Sequence, residues 1–240
     1  MSYQFDVAGA SNATGGGSTH LYVTLAVGDH PNRVAIVAAG RKQNVDPPAL
    51  SSVDINGGPS GISIGSGGGA AYEISRHFYL LESSFPSGGG SFTFYARMTG
   101  GFADYGSIAV AVFYNVAQQA PVVVASDNDS SATIATPGSG VILSAYGGAS
   151  GGGSITTADG TVRASIGTGV NVAVASQSTP GGNQTMTWSS GAQAASFAAF
   201  QNAQSSGGRV FFWFQNWKRL NGILRPPGHT QKAKPKLAGI

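Results

Sequence analysis

The stretch GRVFFWFQNW, residues 208–217, concentrates more aromatic area than any other part of the sequence. Successive side chains of a strand point to opposite faces, so a strand formed here is aromatic on both faces. A strand of that kind has to be covered on both sides by other layers of the protein. We therefore predict the last core strand of a sandwich here, with the aromatic residues Phe211, Phe212, Trp213, Phe214 and Trp217.

Upstream of this stretch, short segments alternate between apolar and polar residues. Leu21, Val23 and Leu25 share one face of one segment, and Val34 and Ile36 share one face of the next. Clusters of glycine separate about fourteen such segments. Short alternating strands with frequent turns are typical of sandwiches and jelly rolls. The sequence thus predicts an all-β, jelly-roll-like sandwich of about fourteen short antiparallel strands, with an extended C-terminal arm.

Two features leave alternatives open. Residues 191–203 have high helix propensity, but Phe197 and Phe200 do not form a wide apolar stripe, so we predict a strand there and keep a short helix as the alternative. A boundary near residues 127–132 would divide the chain into two stacked sandwiches. We rank this arrangement second to one large jelly roll, because the two halves show no convincing repeat in sequence.

The charges divide the chain into a body and a tail. Residues 1–217 contain ten acidic and seven basic side chains, whereas residues 218–240 contain six basic and no acidic ones. Pro226 and Pro227 interrupt any regular element in the tail. We predict an N-terminal arm or edge strand at residues 1–18, a sandwich domain at residues 19–217 and a basic extended arm at residues 218–240.

The basic arm has three interpretations. It is a solvated end that aids solubility, it neutralises the phosphates of a nucleic acid, or it anchors the chain to a neighbouring subunit. Interspersed apolar residues and prolines favour the anchor, because a tail that binds nucleic acid is usually more polar and more densely charged. Nucleic acid is therefore not an expected partner. The predicted assembly arm comprises Lys218, Arg219, Leu220, Ile223, Leu224, Arg225, Pro226, Pro227, Lys232, Lys234 and Lys236.

The composition points towards association with other chains. Only 10% of the residues are charged, against about 25% in an ordinary soluble domain, and 37 are glycine. A surface of small and hydroxyl-bearing side chains suits dense lateral packing. No apolar run approaches the length of about 18 residues that a membrane-spanning helix needs, so no membrane partner is expected.

Two motifs resemble catalytic or cofactor sites without their structural context. The letters GISIG at residues 61–65 match the G-x-S-x-G pattern of a hydrolase nucleophile, centred on Ser63, but more glycine follows where a helix is required. The glycine-rich residues 65–70 lack the helix of a dinucleotide site. We predict a protein with no catalytic residues, no enzymatic activity and no cofactor.

The remaining candidate sites involve metal ions and sugars. Asp127 and Asp129 offer closely spaced carboxylates for Ca²⁺, but the glycine and the distal glutamate of an EF-hand loop are missing, so we predict a solvated turn and no bound metal. Exposed aromatic rings on a hydroxyl-rich sandwich can stack on sugars, although most aromatic residues of strands belong to the core. The candidate glycan-contacting rings are Tyr72, Tyr79, Tyr95, Tyr105 and Trp188.

Several segments resemble a known class of proteins. They are residues 21–28 (LYVTLAVG), 33–39 (RVAIVAA), 79–81 (YLL), 140–148 (GVILSAYGG) and 186–190 (MTWSS). In style rather than in an exact motif, residues 15–205 are similar to β-sandwich proteins found among the structural genes of tailed bacteriophages and related gene-transfer particles. The resemblance implies a virion protein of the decoration, spike or fibre type, sometimes in contact with host-surface glycans. The arm has no counterpart in that class.

The resemblance and the composition together give two expectations of function. The first is a homo-oligomeric virion protein, assembled in the cytoplasm of a bacterial host, whose partners are copies of itself, other virion proteins and host cell-surface polysaccharide. The alternative is a carbohydrate-binding sandwich module that recognises surface glycans. The two differ in whether the purified chain assembles or stays a glycan-binding monomer.

Overall fold

The computed structural model describes residues 1–14, 18–42, 50–68, 73–102, 105–127, 131–136, 138–148, 157, 159–166, 170–188 and 192–204. These residues form fifteen strands and one 3₁₀ turn, Glu82–Ser84, and they contain no α-helix. Every pairing between the strands is antiparallel. The all-β sandwich predicted from the alternation is confirmed, and residues 192–201 form a strand rather than the alternative helix.

The strands follow the chain at short intervals. They are β1 (Gln4–Thr14), β2 (Ser18–Val27), β3 (Val34–Lys42), β4 (Leu50–Ile55), β5 (Ile62–Gly68), β6 (Glu73–Leu81), β7 (Gly90–Phe102), β8 (Tyr105–Tyr114), β9 (Val122–Asp127), β10 (Ser131–Thr136), β11 (Gly140–Gly148), β12 (Thr161–Ile166), β13 (Asn171–Thr179), β14 (Gly182–Thr187) and β15 (Ala192–Gln201).

Four sheets are formed from these strands, two from each half of the chain. The N-terminal half forms an inner sheet, β1-β8-β3-β6-β5, and an outer sheet, β2-β7-β4. The C-terminal half forms an inner sheet, β12-β13-β11-β15-β9, and an outer sheet, β10-β14. The two inner sheets face each other in the middle of the stack, and each outer sheet covers the other face of its own inner sheet.

Three apolar cores separate the four layers. The first, between the N-terminal sheets, contains Val37 of β3, and the second, between the two inner sheets, contains Ile36 of the same strand. The second core also contains Leu143 of β11, whereas its neighbour Ile142 belongs to the third core. Because β3 and β11 carry cores on both faces, residues 34–39 of β3 and 141–143 of β11 are continuously apolar instead of alternating.

The layering differs from one large jelly roll. The strands form two stacked sandwiches, the arrangement that the sequence ranked second. The N-terminal sandwich pairs its first strand with its eighth, its second with its seventh and its third with its sixth, as a long hairpin rolled up on itself does. Its fifth strand extends the inner sheet beside β6. Residues 4–14, predicted as an arm or an edge strand, form the edge strand β1.

The two halves repeat the same strand order, although no convincing repeat is visible in the sequence. The inner sheet β1-β8-β3-β6-β5 corresponds strand for strand to β9-β15-β11-β13-β12, and the outer pair β2-β7 corresponds to β10-β14. The counterpart of β4 falls between β11 and β12. There Thr157 makes an isolated bridge with Trp188, directly after β14, as β4 pairs with β7.

A shared irregularity supports this correspondence. The pairing of β5 with β6 skips one residue, Ile64, between Ser63 and Gly65. The pairing of β12 with β13 skips one residue, Arg163, at the equivalent place. A bulge sets the local twist and the register of a strand, so its presence at the same position makes the two sandwiches structural copies. The GISIG motif of the sequence lies at the start of this bulged edge strand. The chain continues as a strand after Ser63, where the hydrolase motif requires a helix.

The two copies pack with an approximate two-fold relation. Across the middle layer, β1 lies next to β12, β3 next to β11, and β5 next to β9, so the equivalent strands face one another in reversed order. At the equivalent positions Gly40 and Gly147 the sheets come very close. A Cβ atom on Gly40 would lie 2.9 Å from Cγ1 of Val172, and one on Gly147 would lie 2.2 Å from Cβ of Ser75.

Residues 205–240 lie outside the described residues. The predicted core strand, Phe211, Phe212, Trp213, Phe214 and Trp217, falls in this range, and so does the whole predicted assembly arm, so both stay predictions. By its internal contacts the chain divides into one unit of residues 1–203 and a second of residues 204–240. Within the described residues, no helix is long and apolar enough to cross a membrane.

We expect the substitution Gly147→Ala to destabilise the protein by about 1–3 kcal/mol, because the new methyl group overlaps the rigid Cβ atom of Ser75. Gly40→Ala should have a smaller effect of the same sign, since its contacts with Val170 and Val172 are longer. Urea unfolding monitored by circular dichroism measures both changes. Gly90→Ala is the control, because its nearest neighbour, Cε1 of Phe92, is at an ordinary 3.6 Å. Equal stability of all three variants would contradict the close packing.

Candidate functional site

The structure separates the candidate glycan-contacting rings into buried and exposed ones. Tyr79 lies in the middle core, where its ring packs edge-on against Phe200 at 5.6 Å, and burial raises the pKa of its hydroxyl. Trp188 lies in the third core, 5.4 Å from the ring of Tyr146. Both rings are buried in this fold and do not face solvent: Tyr79 is covered by the inner sheet of the other copy and Trp188 by the inner sheet of its own, which the alternation alone does not reveal. Tyr72 lies outside the described residues.

The other two rings reach the surface at separate places. Tyr105 begins β8 at the end of the N-terminal inner sheet, and it is exposed. Tyr95 lies on the outward side of β7, in the N-terminal outer sheet, directly opposite Tyr22 of β2. Tyr22 has 57% of its surface exposed, which is unusual for so large an apolar ring. The two rings form the centre of a surface that the sequence identified only in part.

This surface follows from the alternation of two neighbouring strands. Leu21 and Val23 point from β2 into the first core, so His20 and Tyr22 point outward. On β7, Phe94 and Ala96 point inward, so Tyr95 and Arg97 point outward. The pairing register places the outward residues of both strands side by side. We call the outward-facing group His20, Tyr22, Asp54, Tyr95 and Arg97 the aromatic face.

Three rings of the aromatic face form a compact triangle. The ring centroids of Tyr22 and Tyr95 are 6.1 Å apart, and their planes are inclined by 44°. His20 lies 5.5 Å from Tyr95 and 6.2 Å from Tyr22. The cluster presents ring faces and ring edges together, with centroids 5.5–6.2 Å apart. The threonine pair Thr24 and Thr93, whose hydroxyl oxygens are 2.9 Å apart, continues the same side of the sheet.

An ion pair fixes a cation beside these rings. The guanidinium of Arg97 lies 5.2 Å from the centroid of Tyr95 and donates hydrogen bonds to the carboxylate of Asp54, through Nε to Oδ2 and through Nη2 to Oδ1 at 3.1 Å. The hydrogen bond with Asp54 raises the pKa of Arg97, so the guanidinium stays charged. The Arg97 side chain is 44% exposed and that of Asp54 only 5%, so ligands meet donors rather than the carboxylate.

The carboxylate itself is held in place by the chain. The backbone N–H of Gly57 donates to Oδ1 of Asp54 at 2.8 Å, within the turn that follows β4. Gly57 has φ = +81°, a left-handed conformation that glycine adopts easily, so the turn delivers this donor without strain. Asp54 therefore orients Arg97 in advance, and the donors of Arg97 stay in position before any ligand arrives.

Of the candidate residues for catalysis and metal binding, the structure describes Ser63 and Asp127. Ser63 is exposed on the edge strand β5, and the structure places no acid or base within hydrogen-bond distance of it among the described residues. Asp127 ends β9, and Asp129 lies outside the described residues. Within the part of the chain that is described, no group of three or more potential metal-binding side chains occurs.

A second surface consists of sheet edges that none of the described strands covers. β5 and β9 are edge strands of the two inner sheets and lie next to each other on one flank of the stack. The apolar side chains of Ile62, Val122 and Val123 are exposed there, Ile62 with 51% of its surface. β5 contains no charged residue, and β9 contains one, Asp127, at its end. We call this flank the β5/β9 edge.

One polar pair lies between the two copies. His77 of β6 is fully buried in the middle layer, and its Nδ1 atom shares a hydrogen bond of 2.8 Å with Oγ of Ser196 on β15. At the equivalent positions of the other copy stand Val174 and Ala109, both apolar. Burial lowers the pKa of His77 from 6.5 to about 3, so the imidazole is neutral in the folded protein.

We expect His77 to make stability depend on pH. In the unfolded chain the imidazole gains a proton below pH 6.5, but in the folded protein only near pH 3, so stability is complete above pH 6.5 and falls as the pH drops towards 3. Between pH 6.5 and 4.5 the loss should be about 2–3 kcal/mol. The double variant His77→Val with Ser196→Ala, which copies the apolar pair, should lose much less.

Urea unfolding at pH 6.5, 5.5 and 4.5 measures this difference. The control is Ser196→Ala alone, which keeps the buried imidazole of His77 and should therefore keep the pH dependence of the unmodified protein. If the free energy of unfolding falls equally with pH in the unmodified protein and in the double variant, His77 is not the cause of the pH dependence.

Comparison of the chain with models of protein families, with curated proteins and with solved structures gave no match. The residues of the aromatic face and of the β5/β9 edge therefore carry the functional argument alone. Sequence reasoning identified Tyr95 but missed Tyr22, His20, Arg97 and Asp54. The available signal was the polar side of β2, opposite the Leu21, Val23 and Leu25 face.

Proposed function

We propose that this protein is a structural component of a phage-like virion, of the decoration, spike or fibre type, with no enzymatic role. In this proposal, copies of the chain associate through the flanks of the sandwich and through the C-terminal arm. The stacked cores make the described body a rigid block, and its partners are copies of itself and other virion proteins. The site of action is the virion, assembled in the cytoplasm of a bacterial host.

The observation that carries this proposal is the β5/β9 edge. Edge strands offer unpaired N–H and C=O groups to another chain, and soluble proteins usually protect them with lysine, proline or a covering segment. β5 contains no lysine or proline, although the bulge at Ile64 interrupts its pairing edge, and Ile62, Val122 and Val123 expose apolar surface beside it. An uncharged apolar edge of this kind supports lateral contact between copies.

The charge distribution supports a second contact through the arm. Residues 1–217 carry an excess of acidic side chains, and residues 218–240 carry only basic ones. The arm of one copy is therefore attracted to the body of another. Exposed ion pairs contribute only about 0–1 kcal/mol each, so the apolar residues Leu220, Ile223 and Leu224 should supply most of the affinity.

We expect Ile62→Lys and Val123→Lys to weaken self-association about tenfold or more, because each places a charge on an apolar edge. Light scattering coupled to size exclusion, over a range of protein concentrations, measures the assembly state. Tyr105→Lys is the matched control, since it adds the same charge at an exposed ring away from this edge. A protein that stays monomeric at all concentrations would overturn the lateral contact.

Deletion of residues 219–240 tests the arm separately. The truncated chain should remain folded and lose assembly or docking, whereas moderate salt should weaken docking of the intact chain only slightly. Full assembly of the truncated chain would show that the arm is not required for assembly. Binding of nucleic acid that falls steeply with salt would favour the phosphate-binding interpretation instead.

A second candidate function, recognition of glycans, is supported by the aromatic face. Exposed rings next to oriented hydrogen-bond donors are suited to sugars, which combine apolar ring faces with hydroxyl groups. A spike or fibre component can have both functions, and a monomeric carbohydrate-binding module would have only this one. The assembly measurements above and the binding measurements below distinguish these cases.

A further inference from the structure

We infer that the aromatic face binds one neutral pyranose residue of a glycan. In this site the apolar side of the sugar ring stacks on Tyr22 and Tyr95, and the free donors of Arg97 bind its hydroxyl oxygens. The inference rests on the second candidate function above. It adds the location of the site, the role of each side chain and the class of sugar.

The rings have the exposure and spacing that the inference needs. Tyr22 is the most exposed aromatic ring among the described residues, and it lies in direct register with Tyr95. A cross-strand aromatic pair stabilises a sheet by itself, which explains part of the arrangement. That role does not require His20 as a third ring, 5.5 Å from Tyr95, or the guanidinium of Arg97 beside the ring of Tyr95. Together these groups line one small surface.

The ion pair determines that the site favours an uncharged ligand. Asp54 neutralises Arg97, so this ion pair adds no net charge to the aromatic face. Nη2 donates to Asp54, whereas no described residue accepts a hydrogen bond from Nη1 of Arg97. Nη1 and the exposed side of the guanidinium can therefore donate to sugar hydroxyls, which are acceptors without charge. A carboxylated sugar would gain little from a cation that is already paired.

Other occupants fit this surface less well. Nucleic acid requires an excess of cations for phosphate contacts, and the aromatic face has only the paired Arg97. A second copy of the chain would be expected to cover a continuous apolar patch, but the rings are surrounded by the polar side chains of Thr24, Thr93 and Asp54. The small size of the triangle suits a single sugar residue.

The test uses the full chain and a set of defined probes. These are the methyl pyranosides of glucose, galactose, mannose and N-acetylglucosamine, followed by neutral bacterial polysaccharides that contain the sugar that binds. Saturation-transfer NMR detects binding of each pyranoside, and titration gives its dissociation constant. We expect at least one neutral probe to bind, and its affinity should change less than about twofold between low salt and 0.5 M NaCl.

Variants locate the site and separate binding from folding. Tyr22→Ala and Tyr95→Ala should each weaken binding about tenfold or more, whereas Tyr22→Phe and Tyr95→Phe, which keep the rings, should stay within about threefold. Arg97→Gln should weaken binding because it removes the oriented donors. Tyr105→Ala, an exposed tyrosine outside the aromatic face, is the matched control and should bind normally.

The outcomes separate this inference from the function on which it rests. If no neutral probe binds, both the site and glycan recognition by neutral sugars are overturned. If a probe binds but Tyr22→Ala and Tyr95→Ala bind it as well as the unmodified protein does, glycan recognition stands. The assignment of the binding site to the aromatic face is then wrong. Loss of binding in Tyr105→Ala would also overturn the location. Binding restricted to sialic acid or glucuronic acid, with a steep fall in salt, would overturn the class of sugar.

Discussion

The close packing of the two inner sheets is the constraint on which the rest of this structure depends. Strands β3 and β11 approach the opposite sheet so closely that Gly40 and Gly147 have no room for a side chain. Both strands are buried on both faces, and residues 34–40 of β3 and 140–148 of β11 are therefore apolar or small, whereas β3 ends in Arg41 and Lys42. A few polar side chains, such as the pair His77 and Ser196, are buried between the copies, so the polar groups that a ligand or partner can reach lie on the outer sheets and the flanks, with the aromatic face and the β5/β9 edge.

Alternation and glycine turns were sufficient to predict the fold class, and they also predicted which residues of β2 point inward. They could not reveal the duplication, because the two copies share strand order and bulge position rather than residue identity. Ile64 and Arg163 occupy the same bulge with unrelated side chains. The equivalent positions that keep the same residue, such as Gly40 with Gly147 and Phe113 with Phe200, are too scattered to form a recognisable repeat in sequence.

The candidate site was predictable in part for the same reason. The two-residue periodicity of a strand shows which residues share a face. It does not show whether another sheet covers that face. Tyr79 and Tyr95 have similar surroundings in sequence, yet Tyr79 faces the other copy and Tyr95 faces solvent. The partners of Tyr95 come from β2 and β4, and only the pairing register brings these strands beside it.

The position of the aromatic face on an outer sheet has a consequence for attachment. The proposed association through the flank leaves the outer sheet of every copy uncovered, so one assembly displays the site many times. Once one site has bound a glycan chain, its neighbours meet further sugars at a high effective concentration. Sites that are individually weak then hold the assembly firmly by avidity. Attachment to a sugar-coated surface thereby becomes a property of the assembled state, and dissociation of the copies would release it.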